Sequence, residues 1–348
     1  MKSGNNPYAV AFGRIPTSYI NRDLIIDEIV TAFNSEYVDA QCYKLTGVRG
    51  SGKTVTMTAI SKKLVEDSRW IAVDLSSSEN IVQDLIAILY DKVNFLTQYI
   101  DAELNLLAFG VGVSISKNRP VASVDVALGK ILDVINKRGK RLLVTIDEIS
   151  INKDIIHFVK FFQQMVREEM PIYFLSAGLH GKVEELENTE GLTFFYRAPK
   201  RKMSPLNLTL VRSDYQEKLN VTREVAEKMA YMTKGYAFAY QALGKYMWEA
   251  DAKDITDDVM NKVDAALADG SYSIIWRELS ESERFYVSYL CKKDSMDVSE
   301  LLELTQRSSS DWSRPRKRLL DKEIIKSSAR GKIEMILPRF SEFIENMV

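Results

Sequence analysis

Apolar residues recur at helical spacing early in the chain, at Leu24, Ile25, Ile29, Val30 and Phe33, with Asn21 placed to cap the helix. Residues 42–46 are a short strand-like run, and residues 55–65 predict a helix. The two periods then alternate. Residues 70–75 read as a strand, 81–106 as a long helical region, 126–136 as a helix, 141–146 as a strand, 154–169 as a helix stopped by Pro171, and 172–175 as a strand. Between them, residues 111–115 alternate small or polar with apolar side chains and predict an extra strand or extended arm. Strands alternating with helices predict a parallel sheet with helices on both faces.

Beyond Pro199 and Pro205 the pattern changes. Residues 215–267 read as helix throughout, with Tyr231, Tyr236, Phe238, Tyr240, Tyr246 and Trp248 as core positions, and Gly270-Ser271 breaks the run. The remainder predicts three short helices and a hairpin. Ser280 with Glu283 forms a capping box for the first, and residues 298–304 give the second. The third lies within 308–322, with Trp312, Leu319 and Leu320 buried and Pro315 in its first turn. Residues 324–326 and 333–337, around Arg330-Gly331, give a two-stranded wing. Three domains follow, at 1–205, 206–270 and 271–348.

Composition narrows the class. The 348 residues are 46% apolar, enough for real cores, and the net charge of −1 argues against a uniformly basic coat. Two cysteines and two histidines cannot build a local four-ligand zinc site. His157 and His180 stand alone and read as ordinary structural residues. No run of 18 apolar residues is present and the first residues lack a signal-peptide pattern, so the expectation is a cytoplasmic protein without a membrane partner.

One stretch carries chemistry outright. Gly47, Gly52, Lys53 and Thr54 match G-x-x-x-x-G-K-S/T, which chance places in about one chain in a hundred of this length. Glycines, Gly50 among them, let the backbone turn its N–H groups toward phosphate oxygens, and Ser51 lies inside that turn. The following helix N-terminus adds a positive dipole end. Lys53 neutralises the β- and γ-phosphates and Thr54 offers a hydroxyl to Mg²⁺. Arg49 is expected to face solvent or a neighbour. The strand at 141–146 delivers Asp147 and Glu148 at its C-terminal end, where ligand sites of such sheets form. Asp147 fits the metal shell, and Glu148 fits the group that orients or deprotonates water.

This pairing resembles the additional-strand ATPases, the AAA+ and STAND group, and is distantly similar to the replication-initiator (origin-recognition) ATPases. The resemblance implies an α/β P-loop NTPase domain, an all-α lid and a C-terminal winged helix. It implies that Ser176, ending the strand after the acidic one, is a polar sensor. It implies that the segment from Phe12 to Pro16 with Asn21-Arg22-Asp23 lines the adenine site, Arg22 included. Asn21 stands where the family has Gly, and Ala237 where its lid has Pro. Arg197 or Arg201 could act as an arginine finger across a subunit interface, in a nucleotide-dependent homo-oligomer.

From Arg307 to Lys332 nine basic residues face three acidic ones, a local net of +6. Arg314, Arg316, Lys317, Arg318 and Arg330 are the candidate contacts to double-stranded DNA. The expected activity is ATP binding and hydrolysis, with ATP and Mg²⁺ as cofactors and the nucleotide state coupled to the winged helix. Two alternatives stay open: a STAND-type sensor whose winged helix docks a protein effector, and a DNA-binding regulator with negligible turnover.

Overall fold

The computed structural model describes residues 5–10, 16–77, 80–97, 123–293, 295–345 and 347. The expected arm at 111–115, the far end of the long helical region and Phe12 to Ile15 lie outside them. The chain divides into two compact units, one of residues 23–46 and 53–202, the other of residues 1–22, 47–52 and 203–348.

The first of these units is built on five parallel strands. They are β1 (Cys42–Thr46), β2 (Trp70–Leu75), β3 (Arg141–Ile146), β4 (Ile172–Gly178) and β5 (Lys200–Lys202), in the spatial order β2-β3-β4-β1-β5. Thus β4 lies between the strand that enters the glycine-rich loop and the strand that carries the acidic pair. β1 and β4 are buried along their whole length; for β4 this matches its near-continuous apolar run, while β1 carries Lys44 at its centre. The helices are α1 (Asp23–Asn34), α2 (Lys53–Val65), α3 (Ile81–Lys92), α4 (Val124–Lys137), α5 (Lys153–Arg167), α6 (His180–Glu187) and α7 (Thr193–Arg197). Leu85, Leu89, Ile131, Ile135, Phe158 and Phe162 join the strands in one core. Asn152 caps α5 by accepting from the Ile155 N–H (2.7 Å).

One reading of this unit needs refinement. The buried face of α1 is Ile26, Ile29 and Phe33, while Leu24 is 89% exposed. Leu24 lies on the far side of the helix from Ile26, because two residues turn an α-helix by about 200°. The basic run at 200–202, which contains Arg201, forms the edge strand β5, paired with β1.

The second unit has no strand between residues 203 and 293. Its helices there are α8 (Leu208–Leu219), α9 (Arg223–Met232), α10 (Ala237–Glu249) and α11 (Asp257–Leu267), then a π-helical turn at Ala268–Tyr272 and α12 (Ser273–Glu278). A polar knot crosses this core. The Asp214 carboxylate accepts from the hydroxyls of Tyr8 (2.8 Å), Ser18 (2.5 Å) and Tyr240 (2.7 Å). Burial and that carboxylate push the Tyr8 phenol far above its ordinary value. Tyr236 and Tyr240 are buried as expected, but Tyr231 is 63% exposed and is no core residue.

The C-terminal part continues as α13 (Glu281–Leu290), β6 (Ser295–Asp297), α14 (Val298–Thr305), α15 (Ser309–Asp321), β7 (Ile325–Ala329), β8 (Lys332–Met335) and α16 (Phe340–Glu345). The capping box of α13 is formed: Ser280 Oγ accepts from the Glu283 N–H, and Glu283 accepts from the Ser280 N–H (2.6 Å). The β7–β8 hairpin gains a third strand the sequence pattern did not show, β6, with Met296 opposite Ile333 and both buried. Pro315 is the seventh residue of α15, not part of its first turn. A second capping box, Ser308 with Asp311, starts the helix earlier, and Pro315 is buried on the face that carries Trp312 and Leu319. Leu320 is only half-buried.

Candidate phosphate-loop and acidic-strand site

The loop at 47–52 has the backbone its glycines require. Gly50 and Gly52 hold φ values of +78° and +93°, where a side chain is strained. A Cβ at Gly50 would also fall 2.2 Å from the Tyr236 hydroxyl oxygen. Three consecutive carbonyls of the loop are taken up by the unit to which it belongs. Tyr236 donates its hydroxyl to Arg49 O (2.6 Å), the Phe238 N–H donates to Gly50 O (3.0 Å), and Arg22 Nη2 donates to Ser51 O (2.9 Å). Arg22 also reaches Ser204 O. Burial lowers the Arg22 guanidinium to about 10, against the opposing effect of the Glu323 charge, so it stays cationic at neutral pH. Carbonyls held in this way leave N–H groups as the face a phosphate can use. Ser51 Oγ is buried with no hydrogen-bond partner among the described residues.

Lys53 and Thr54 open α2 in the other unit, at the positive end of that helix's dipole. Lys53 is buried. Thr54 Oγ1 donates to Asp147 Oδ2 at the end of β3. Asp147 Oδ1 accepts from the Glu148 N–H (2.8 Å). Glu148 takes a left-handed φ of +49°, and the next N–H, of Ile149, bonds Ala177 O on β4 (2.8 Å). That turn exposes Glu148 while Ile149 enters the core. A left-handed non-glycine residue persists only where surrounding bonds hold it. Ser176 stands beside Ile146 in the β3–β4 register, fully buried, and its Oγ has no partner among the described residues. Within this unit Lys53, Thr54, Asp147, Glu148 and Ser176 therefore come from the ends of α2, β3 and β4.

These groups suit a nucleotide and a magnesium ion. Mg²⁺ is held by one or two carboxylates or hydroxyls together with phosphates and water, and Thr54 with Asp147 is such a pair. No cluster of three or more His, Cys, Asp or Glu side chains that could cage a metal occurs among the described residues. The buried, unpartnered hydroxyls of Ser51 and Ser176 are acceptors and donors still to be used.

Other sequence candidates fall elsewhere. Arg201 pairs with Glu28, its Nε 2.8 Å from both carboxylate oxygens, and Arg197 ends α7. Arg314, Lys317 and Arg318 are exposed on α15 and Arg330 is exposed at the β7–β8 turn. Arg316 is half-buried and donates to Ser327 Oγ (3.1 Å). Lys322 and Lys326, part of the same basic tract, are paired with Glu283 and Glu334. Pattern reading missed two groups. Asp74, at the end of β2, accepts from Thr145 Oγ1 on β3. Glu323 accepts from the Val48 N–H of the loop (3.2 Å), and its one sequence signal was being one of three acids in a basic tract.

Comparison with known proteins adds the fold. A family model described as a domain of unknown function, DUF8462, matches residues 269–344. No curated protein matches the sequence. Among solved structures, Cdc6p of Pyrobaculum aerophilum aligns with a TM-score of 0.51 at 13% identity, covering 97% of this chain and 96% of that one. The ORC2 protein of Aeropyrum pernix gives 0.47 at 11% identity, covering 97% and 96%. A Thermotoga maritima RuvB gives 0.44 at 13% identity, covering 95% and 96%. The chain has the α/β P-loop NTPase fold, with the additional strand β4 in its sheet. Its fold is similar to that of Cdc6p along nearly the whole length.

Proposed function

We propose that this protein is an ATP-binding and ATP-hydrolysing switch whose nucleotide state is coupled to a C-terminal winged helix that binds double-stranded DNA. The observation that carries the nucleotide reading is the Thr54–Asp147–Glu148 arrangement. The hydroxyl that follows the loop lysine is hydrogen-bonded to the acidic strand, and the next carboxylate is exposed on a held turn. Loop N–H groups and Lys53 bind the phosphates, while Thr54 and Asp147 hold Mg²⁺. The metal supplies charge neutralisation on the phosphate oxygens. The Glu148 carboxylate takes the proton of the attacking water, and the Ser176 hydroxyl orients that water or a phosphate oxygen. Arg22 holds the loop through Ser51 O rather than through a phosphate in this arrangement. The partners proposed are ATP and ADP, duplex DNA and other copies of this chain in a nucleotide-dependent oligomer.

Calorimetric titration of MgATP into the full chain and into Lys53→Ala tests the nucleotide site. Wild type is expected to bind, and the variant to lose at least tenfold in affinity, since the β/γ-phosphates lose their counter-charge. Equal affinity in the two proteins overturns the reading.

A further inference from the structure

The phosphate loop is already touched by an anion of the chain itself. Glu323 lies just past α15, in the turn that leads to β7, and is 4% exposed. Its Oε2 accepts from the Val48 N–H in the first turn of the loop, at 3.2 Å. Its backbone has a φ of +57°, the left-handed position that ends many helices and that glycine or asparagine ordinarily fills. The bonds around it are those of a helix end: the Glu323 N–H donates to Leu320 O (3.1 Å) and the Ile324 N–H to Leu319 O (3.0 Å). For the C-terminal domain taken alone, both features are unfavourable. A Cβ is strained at that φ, and a buried carboxylate loses its hydration. The offsetting partners lie at the loop: the Val48 N–H, and the positive charge of Arg22, which is bonded to Ser51 O and interacts electrostatically with Glu323.

We propose that Glu323 is the residue that couples the phosphate loop to the C-terminal domain, by setting its own carboxylate against bound polyphosphate. A buried negative charge at the loop raises the free energy of a triphosphate there. By linkage, a triphosphate weakens the Glu323–Val48 contact by the same factor. The side of that contact outside the loop is the α15–β7 turn, which joins the helix bearing Arg314, Lys317 and Arg318 to the β7–β8 hairpin. Nucleotide charge thus reaches the basic surface through one side chain. The inference rests on the nucleotide reading above, and goes beyond it in naming a residue remote in sequence that sets affinity.

Glu323→Gln keeps an acceptor for Val48 and removes only the charge; Glu323→Ala removes both. With wild type and Lys53→Ala as references, MgATP and MgADP are titrated into each full-length protein after a thermal melt confirms folding. Both Glu323 variants are expected to bind ATP at least fivefold more tightly than wild type, the lower end of ordinary coupling, with a smaller gain for the less charged ADP. Hydrogen exchange of residues 322–329 in wild type is expected to rise when ATP is added. Unchanged or weaker ATP affinity in Glu323→Gln makes Glu323 a structural prop and overturns the proposal. So does ATP-independent exchange of the turn. If wild type and Lys53→Ala bind ATP equally, the nucleotide reading itself has failed, which the reference variant shows separately.

Discussion

At Gly50 two independent constraints meet, a φ of +78° and the Tyr236 hydroxyl in the space a Cβ would need. Gly50→Ala is therefore expected to distort the loop and to displace the Tyr236 hydroxyl, while leaving the core around the parallel sheet intact. Titration should show ATP affinity down at least tenfold, with the thermal midpoint within a few degrees of wild type; unchanged affinity would remove the loop geometry from the site. Glu148 is a second single-residue test. Glu148→Gln keeps size and polarity and abolishes proton acceptance, so single-turnover hydrolysis should fall by about 10² or more while ATP is retained. The placement of Lys53 and Thr54 at a helix start and of Asp147 and Glu148 just past a strand was legible because each follows from a local pattern: glycine spacing before a helix, and acids at a strand end. Glu323 was not, since its meaning arises from a contact across 275 residues of chain.

At the scale of elements, short strand-like runs betrayed β1 to β4, whereas β5 and β6 stayed hidden. Each is three residues long, and β5 is Lys-Arg-Lys, which strand propensity does not favour. β1 itself contains a charge that pattern reading could not place. Lys44 is fully buried, with Nζ 2.7 Å from Glu187 Oε1 and also bonded to Phe195 O, while Lys200 holds the other carboxylate oxygen at 2.8 Å. Burial lowers the Lys44 pKa, opposed by the Glu187 bond. Glu187→Ala leaves that cation uncompensated and should cost about 3–5 kcal/mol in chemical denaturation. Lys44→Met combined with Glu187→Leu should recover most of the loss, which separates charge from volume. The start of α13 gives a pH test. Burial raises the Glu283 pKa, but its bonds to Lys322 and to the Ser280 N–H outweigh this, and the net is a lowered value. A depressed carboxylate contributes stability that is full above its unfolded pKa and is lost as pH falls through the folded one. Resistance of wild type to denaturant should thus fall with acid in the range below the ordinary carboxylate pKa, and Glu283→Gln should show a flatter acid limb.

For the molecule as a whole, the change from alternating to all-helical pattern was visible in the sequence, but the path of the chain was not. Residues 47–52, which interrupt the parallel-sheet unit in sequence, belong by packing with the helices that begin after residue 202. That placement gives the DNA proposal its sharpest test, because the basic tract and the loop then sit in one unit. On α15 the buried residues Trp312, Pro315 and Leu319 define the inner face. Arg314 and Arg318, one turn apart, project outward, and neither takes part in an ion pair among the described residues. Arg316 is less suited, being half-buried and bonded to Ser327. Phosphate contacts release counterions, so duplex binding followed by fluorescence anisotropy should weaken steeply as salt rises. Replacing Arg314 and Arg318 together by Ala should remove two such contacts and reduce the log–log salt slope by about 1.8, at roughly 0.9 per contact. ATP affinity should stay within twofold, since neither side chain is bonded to the loop. Salt-insensitive or absent duplex binding by wild type, with and without ATP, would turn this basic face into a docking site for a protein effector instead.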